Sequence, residues 1–179
     1  GLDGARNVSG LDELATNLLH LERVNYIGRT DELEMLEQMM RSHVRTGALI
    51  HGPAGTGKTA LMTELAHATN TSVYALDVGA LVSGTGLRGD LEARFSRIIA
   101  DMNERGGILF IDEAHSLANV GKDKEGGTVE FLDYLKLRMT GGQFNFKVVL
   151  ATDQPASFLA DAGFKRRVMP VKLEPASRS

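Results

Sequence analysis

The sequence predicts an α/β sandwich, with helices layered on both faces of a mostly parallel five-stranded sheet. Three observations carry that expectation. Apolar runs of strand length alternate with segments of helical period along most of the chain, the order expected of consecutive strand–helix–strand units. Residues 108–111, Ile-Leu-Phe-Ile, are apolar without interruption, as in a strand covered on both faces of a parallel sheet. A glycine-rich turn at 52–57 directly follows the first such run and opens a helix.

Residues 1–25 read as a lead-in: a glycine-bearing start, then Leu11, Leu14, Leu18 and Leu21 at helical spacing, predicting a short helix over the edge of the core. A larger unit spans 26–175 and a tail 176–179. Past Ile27, Gly28 and Arg29, Thr30 is the expected N-cap of a helix with Asp31 and Glu32 in its first turn. Leu33, Leu36, Met40 and Val44 give that helix one apolar face. Strands are expected at 48–50, 72–76, 108–111, 147–151 and 168–173. Helices are expected at 59–68, with Leu61, Leu65 and Ala68 inward, at 91–102, with Phe95, Ile98, Ile99 and Met102 on one side, and at 129–139.

Composition narrows the function classes. A chain of 179 residues, 42% hydrophobic, suffices for one compact domain and is short for two. A net charge of -3 leaves no basic footprint, so nucleic acid is an unexpected partner. No apolar run approaches the roughly 18 residues of a membrane span, and the first residues lack the basic-then-apolar order of a signal peptide. The absence of cysteine removes disulfides, thiolate metal sites and thiol catalysis, and fits a reducing, cytoplasmic setting. Glycine is abundant, 20 residues against 4 prolines, without linker or collagen periodicity, which points to special backbone turns. The glycine-richest loops are 52–57, 83–89, 121–127 and 141–142.

The first of these loops carries chemistry. Gly52-Pro53-Ala54-Gly55-Thr56-Gly57-Lys58-Thr59 has the spacing G-x-x-x-x-G-K-[ST] of a phosphate-binding loop, with Ala60 closing the stretch. Its glycines let successive N–H groups point into one concavity, and the following helix adds the positive end of its dipole. Lys58 would meet the β- and γ-phosphates as a point charge, and Thr59 would offer its hydroxyl to Mg²⁺. The apolar strand 108–111 ends in Asp112-Glu113, the Walker B form. Such a strand delivers Asp112 to its C-terminal edge, beside the phosphate loop, to hold Mg²⁺, and Glu113 to polarise the attacking water. Asp112-Glu113-Ala114-His115 also spells the box of DEAH helicases. Those enzymes complete their site with a second domain that 179 residues do not accommodate, so His115 is expected to be a helix-start residue near the site.

With these motifs in place the chain resembles the AAA+ ATPases, and among them the first ATPase module of the Clp family of protein unfoldases. Ile27-Gly28-Arg29 is similar to the family's box that contacts adenine through its backbone. Gly79-Ala80-Leu81-Val82-Ser83-Gly84, followed by Leu87-Arg88-Gly89-Asp90-Leu91-Glu92-Ala93-Arg94, resembles the Clp stretch containing the first pore loop. Val120-Gly121-Lys122 and Gly126-Gly127 resemble the second pore loop. Ala151-Thr152-Asp153 stands where the family has sensor 1, and Lys165-Arg166-Arg167 where it has its arginine fingers.

The resemblance implies a P-loop NTPase fold and an ATPase that binds ATP and Mg²⁺ and works as a ring, usually a hexamer. It implies that Arg166 and Arg167 act in trans on a neighbour's nucleotide, and that polypeptide is gripped through the loop around Leu87. Three departures accompany it. Leu87 replaces the usual aromatic gripping residue, so a weaker hold on substrate is expected. Asp153 puts a carboxylate where a neutral side chain is usual, which leaves Thr152 as the fallback for that contact. The chain ends about where the family's helical lid begins, so a large subdomain without its lid is the expectation. An assembly or secretion-associated ATPase, or a nucleotide-gated scaffold with little turnover, stays open beside the remodelling motor.

Overall fold

The computed structural model describes residues 10–23, 28–83, 88–119, 131–141 and 144–175. Ile27, Leu87 and the second pore-loop stretch 120–127 lie outside the described residues. In chain order the strands are β1 (Ala15–Asn17), β2 (Gly47–His51), β3 (Val73–Leu76), β4 (Ile108–Ile111), β5 (Lys147–Thr152) and β6 (Val168–Lys172). The helices are α1 (Leu11–Leu14), α2 (Thr30–Arg41), α3 (Lys58–Thr69), α4 (Val78–Val82), α5 (Arg88–Arg105), α6 (Phe131–Thr140), α7 (Ala156–Leu159) and α8 (Ala162–Arg167). Two 3₁₀ turns occupy Leu18–His20 and Ala114–Asn119.

The sheet has the order β1-β3-β4-β5-β2-β6, and every pair is parallel except β1 with β3. Alternate side chains of the central strands fill two cores. Leu109, Ile111, Val148 and Leu150 join Phe95, Ile98 and Met102 of α5 on one face. Phe110, Val149, Ala151 and Ile50 join Leu36 and Met39 of α2 and Leu61 and Leu65 of α3 on the other. This two-sided burial is the physical reason for the uninterrupted apolar run in β4. Each of the larger side chains, Val, Leu, Ile, Phe or Met, contributes about 1.5 to 3 kcal/mol by leaving water.

The sandwich and its parallel sheet match expectation, with a sixth strand added. Leucines at 11, 14, 18 and 21 predict one helix, but α1 stops at Leu14. Thr16 and Asn17 are weak helix formers, and Ala15–Asn17 instead pairs with Leu76, Ala75 and Tyr74 along the open edge of β3. Asn17 fixes the join: its amide donates to Ser72 Oγ at 3.0 Å, and its oxygen accepts from the N–H groups of Val73 and Leu19. Leu21 ends up exposed. Thr30 is the first residue of α2 and not its cap, a place held by Arg29 in a left-handed conformation at φ 62°. Val44 and Ala68 face solvent, because α2 ends at Arg41 and because Ala68 lies beyond the buried stripe of α3.

The strand order decides where a ligand can sit. β2 lies between β5 and β6, and the chain departs from it toward β3 on one side and returns to β6 on the other. The carboxyl ends of β4, β5 and β2 therefore stand side by side at a topological switch point, where open α/β sheets bind ligands.

Candidate functional site

The phosphate loop leaves β2 between two neighbouring strand ends. Gly52 N–H donates to the Thr152 carbonyl at 3.3 Å, and Leu173 N–H donates to the His51 carbonyl at 2.8 Å. A Cβ at Gly52 would fall on the Leu173 carbonyl oxygen, so only glycine fits there. Gly55 and Gly57 take left-handed conformations at φ 81° and 85°, which most side chains resist. Thr56 is buried and turns its hydroxyl back onto the Pro53 carbonyl at 2.9 Å, so toward a phosphate it can offer its backbone N–H. Lys58 Nζ lies at the mouth of the curl, donating to the carbonyls of Gly52 and Pro53 at 3.0 and 3.1 Å. Thr59 and Ala60 continue into the first turn of α3, a helix anchored by its buried Leu61, Met62 and Leu65.

The end of β4 brings the carboxylates. Thr59 Oγ1 stands 3.4 Å from Asp112 Oδ2, and Asp112 Oδ1 accepts the Glu113 N–H at 2.8 Å. Glu113 is in the left-handed region at φ 51°, held there by the following 3₁₀ turn, whose Ser116 returns both its N–H and its hydroxyl to the Glu113 carbonyl. The end of β5 contributes Thr152, which is buried, and Asp153, which is exposed. Lys58, Thr59, Asp112, Glu113, Thr152 and Asp153, with the loop residues Ala54, Gly55 and Gly57, share one open cleft of about 270 Å³.

His115 lines the same cleft. Its Nδ1 is 2.8 Å from Thr152 Oγ1 and its Nε2 is 3.5 Å from Asp153 Oδ1. Reading the sequence along the chain places His115 near the site without giving it partners; the contact spans 37 positions, and the DEAH spelling is the one signal that singles it out.

Other predicted residues stand apart. Arg166 and Arg167 close α8 just before β6 begins, at the amino ends of the strands and so away from their own chain's cleft. There the loop between α2 and β2 caps the helix: Arg45 Nη1 donates to the carbonyls of Lys165 and Val168, and Thr46 N–H donates to that of Arg167. Lys147 braces the loop through the carbonyls of Ser42 and Arg45, and burial lowers its pKa. A wider depression of about 520 Å³ opens here, but Arg45 and Lys147 on its wall are committed to these carbonyls. Gly28 has φ 95°. Its neighbour Arg29 ties this stretch to the phosphate loop through the Thr56 carbonyl at 3.4 Å and to the end of the sheet through the Glu174 carbonyl. Arg94 Nη1 gathers the carbonyls of Ala80, Leu81 and Ser83, anchoring the residues that lead toward Leu87.

The donor set fits a magnesium nucleotide. Left-handed glycines open the loop's backbone, and one ammonium, one hydroxyl and one carboxylate meet at its rim. Among the described residues no group of three or more His, Asp or Glu side chains could hold a metal alone. A cation at Thr59 and Asp112 would thus take further oxygens from phosphate, as Mg²⁺ commonly does. His51, at the carboxyl end of β2, has its pKa lowered by burial and by the nearby Lys172.

Comparison with known proteins agrees with this geometry. Residues 48–170 match the model of the AAA family, the ATPases associated with various cellular activities. The chain is 31% identical to heat shock protein 100 of Trypanosoma brucei brucei, over 92% of this chain and 21% of that protein. It is 30% identical to the ATP-binding subunit ClpE of the ATP-dependent Clp protease of Bacillus subtilis, over 93% of this chain and 26% of that one. It superposes on the Hsp104–ADP complex of S. cerevisiae with a TM-score of 0.73 at 26% identity, covering 93% of this chain and 31% of the other. The chain thus spans about a fifth to a quarter of the length of these curated relatives.

Proposed function

The chain belongs to the AAA family of ATPases, and from that premise we propose that residues 26–175 are the nucleotide-binding part of a Clp-type ring ATPase that remodels or translocates polypeptides. The observation that carries this reading is the meeting of Lys58, Thr59, Asp112 and Glu113 at adjacent strand ends. In it the loop N–H groups and the start of α3 bind the phosphates, and Lys58 exchanges its carbonyl partners for phosphate oxygens. Thr59 and Asp112 would hold Mg²⁺, which supplies charge neutralisation on those oxygens when bound. The Glu113 carboxylate, exposed at the cleft, accepts a proton from the attacking water.

Arg166 and Arg167, placed away from their own cleft, act on the nucleotide of the next copy, where a charged fork stabilises the γ-phosphate. A site divided in this way calls for head-to-tail contacts between copies, which close into a ring, a hexamer by the Clp resemblance. The polypeptide reading rests on the Clp stretch around Leu87 and on the relatives that are a heat shock protein and a protease subunit. Asp153 favours a second reading, a nucleotide-gated scaffold, because a carboxylate beside the γ-phosphate opposes turnover. The experiment that separates them is phosphate release by the intact protein with and without an unfolded polypeptide. Remodelling predicts stimulation that Leu87→Asp removes, whereas a scaffold shows no turnover to stimulate.

A further inference from the structure

We propose that His115 is a positioning residue that clasps the Asp153 carboxylate and draws it away from the bound substrate's phosphates, so that this cleft accepts an anion despite the carboxylate at its rim. The inference rests on the cleft being an ATP site.

Geometry holds the clasp in place. His115 lies in the 3₁₀ turn after Glu113, between Ala114 and Leu117, both fully buried. Thr152, the last residue of β5, is 1% exposed. Its hydroxyl oxygen accepts the Gln154 N–H at 2.9 Å and lies 2.8 Å from His115 Nδ1. An ionised carboxylate only accepts hydrogen bonds, so the ring nitrogen that faces Asp153 Oδ1 at 3.5 Å, Nε2, is the one assigned the ring proton. In that neutral tautomer Nδ1 accepts the Thr152 hydroxyl proton, while the hydroxyl oxygen accepts the Gln154 N–H. Two consequences follow. Thr152 has no donor left for a phosphate, so its role is to fix the ring. The Asp153 carboxylate, in a cleft that already holds Asp112 and Glu113 against the single ammonium of Lys58, has the His115 ring as its partner.

The test is binding of Mg–ATP and Mg–ADP to the intact protein by titration calorimetry. Wild type, His115→Ala, Asp153→Asn, the double variant and Lys58→Ala are compared. Freeing the carboxylate in His115→Ala should weaken ATP on the order of tenfold, about 1.4 kcal/mol, within what like charges several ångströms apart supply in a partly screened cleft. ADP, which lacks the γ-phosphate, should weaken less. Asp153→Asn raises ATP affinity alone and restores it in the double variant, because no charge is left to clasp. His115→Gln, whose amide can still donate to Asp153, keeps most of the affinity and guards against a folding defect in the alanine variant. A double variant as weak as His115→Ala would show a merely structural histidine and overturn the proposal. So would an unaffected His115→Ala beside a Lys58→Ala that abolishes binding. If Lys58→Ala itself leaves ATP affinity unchanged, the ATP-site reading fails and the clasp falls with it.

Discussion

Glu113 carries a conformational cost that can be measured separately from its chemistry. It sits at φ 51°, a region that costs a side-chain-bearing L-residue about 1 to 2 kcal/mol, and its side chain is exposed. Glycine at this position removes that cost but adds roughly 0.5 to 1 kcal/mol of freedom to the unfolded chain. The difference predicts that Glu113→Gly stabilises the fold by about 0.5 to 1 kcal/mol, or about 2 °C in Tm for a chain of this length. The backbone contacts of the turn, Glu113 N–H to Asp112 Oδ1 and Ser116 to the Glu113 carbonyl, survive the change. Urea denaturation of both proteins measures the first effect and phosphate release the second, which should vanish. Coupled gain of stability and loss of turnover marks a strained residue retained for function. A destabilised Glu113→Gly would refute the strain argument, and one that still turns over ATP would refute the assignment of Glu113.

Two further outcomes test how the site is built. Gly52→Ala sets its methyl on the Leu173 carbonyl oxygen, whereas Gly55→Ala meets open space and bears only its left-handed φ. Urea midpoints should therefore show the first costing more than about 2 kcal/mol and the second about 1 to 2 kcal/mol; equal costs would contradict the close approach of β6 to the loop. The second outcome concerns acid. Because burial and Lys172 lower the folded pKa of His51, the unfolded chain binds the extra proton first, and stability falls as pH drops through roughly 6.5. Asp12, whose pKa is lowered by its hydrogen bonds and charge pairing with Arg105, adds stability that is present above roughly pH 3.9 and lost as pH falls through its lower folded value. His51→Gln should flatten the first decline in a series of urea midpoints; an unchanged slope would mean that another group causes it.

The parts of this site legible in the sequence are those whose chemistry is local. The phosphate loop and Asp112-Glu113 announce themselves because glycines, a lysine and an apolar run must occur at fixed short spacings to work at all. The β1 strand was not legible: three residues decided by pairing with β3, some sixty positions away, overrule a leucine spacing that suits a helix. The helices α4, α7 and α8, of five, four and six residues, are too short to print a period. Of these, α4 and α8 start on the caps Asp77 and Asp161, whose side chains accept from Ala80 N–H and Phe164 N–H, whereas α7 follows Pro155 without a side-chain cap. His115 with Thr152, Arg94 with the Ala80–Ser83 carbonyls and Arg45 with the end of α8 are tertiary contacts. Their residue types show in the sequence, but their partners are set by which strand ends and helices the fold brings together.

The most direct test of the account is a single comparison of ATP binding and phosphate release in the intact protein and in Glu113→Gln. The substitution removes the proton acceptor and leaves Lys58, Thr59 and Asp112 in place. The account predicts that the variant binds Mg–ATP with an affinity close to that of the parent and releases phosphate on the order of a hundredfold more slowly or worse. Undiminished phosphate release by Glu113→Gln, or a parent protein that binds no ATP, would contradict it.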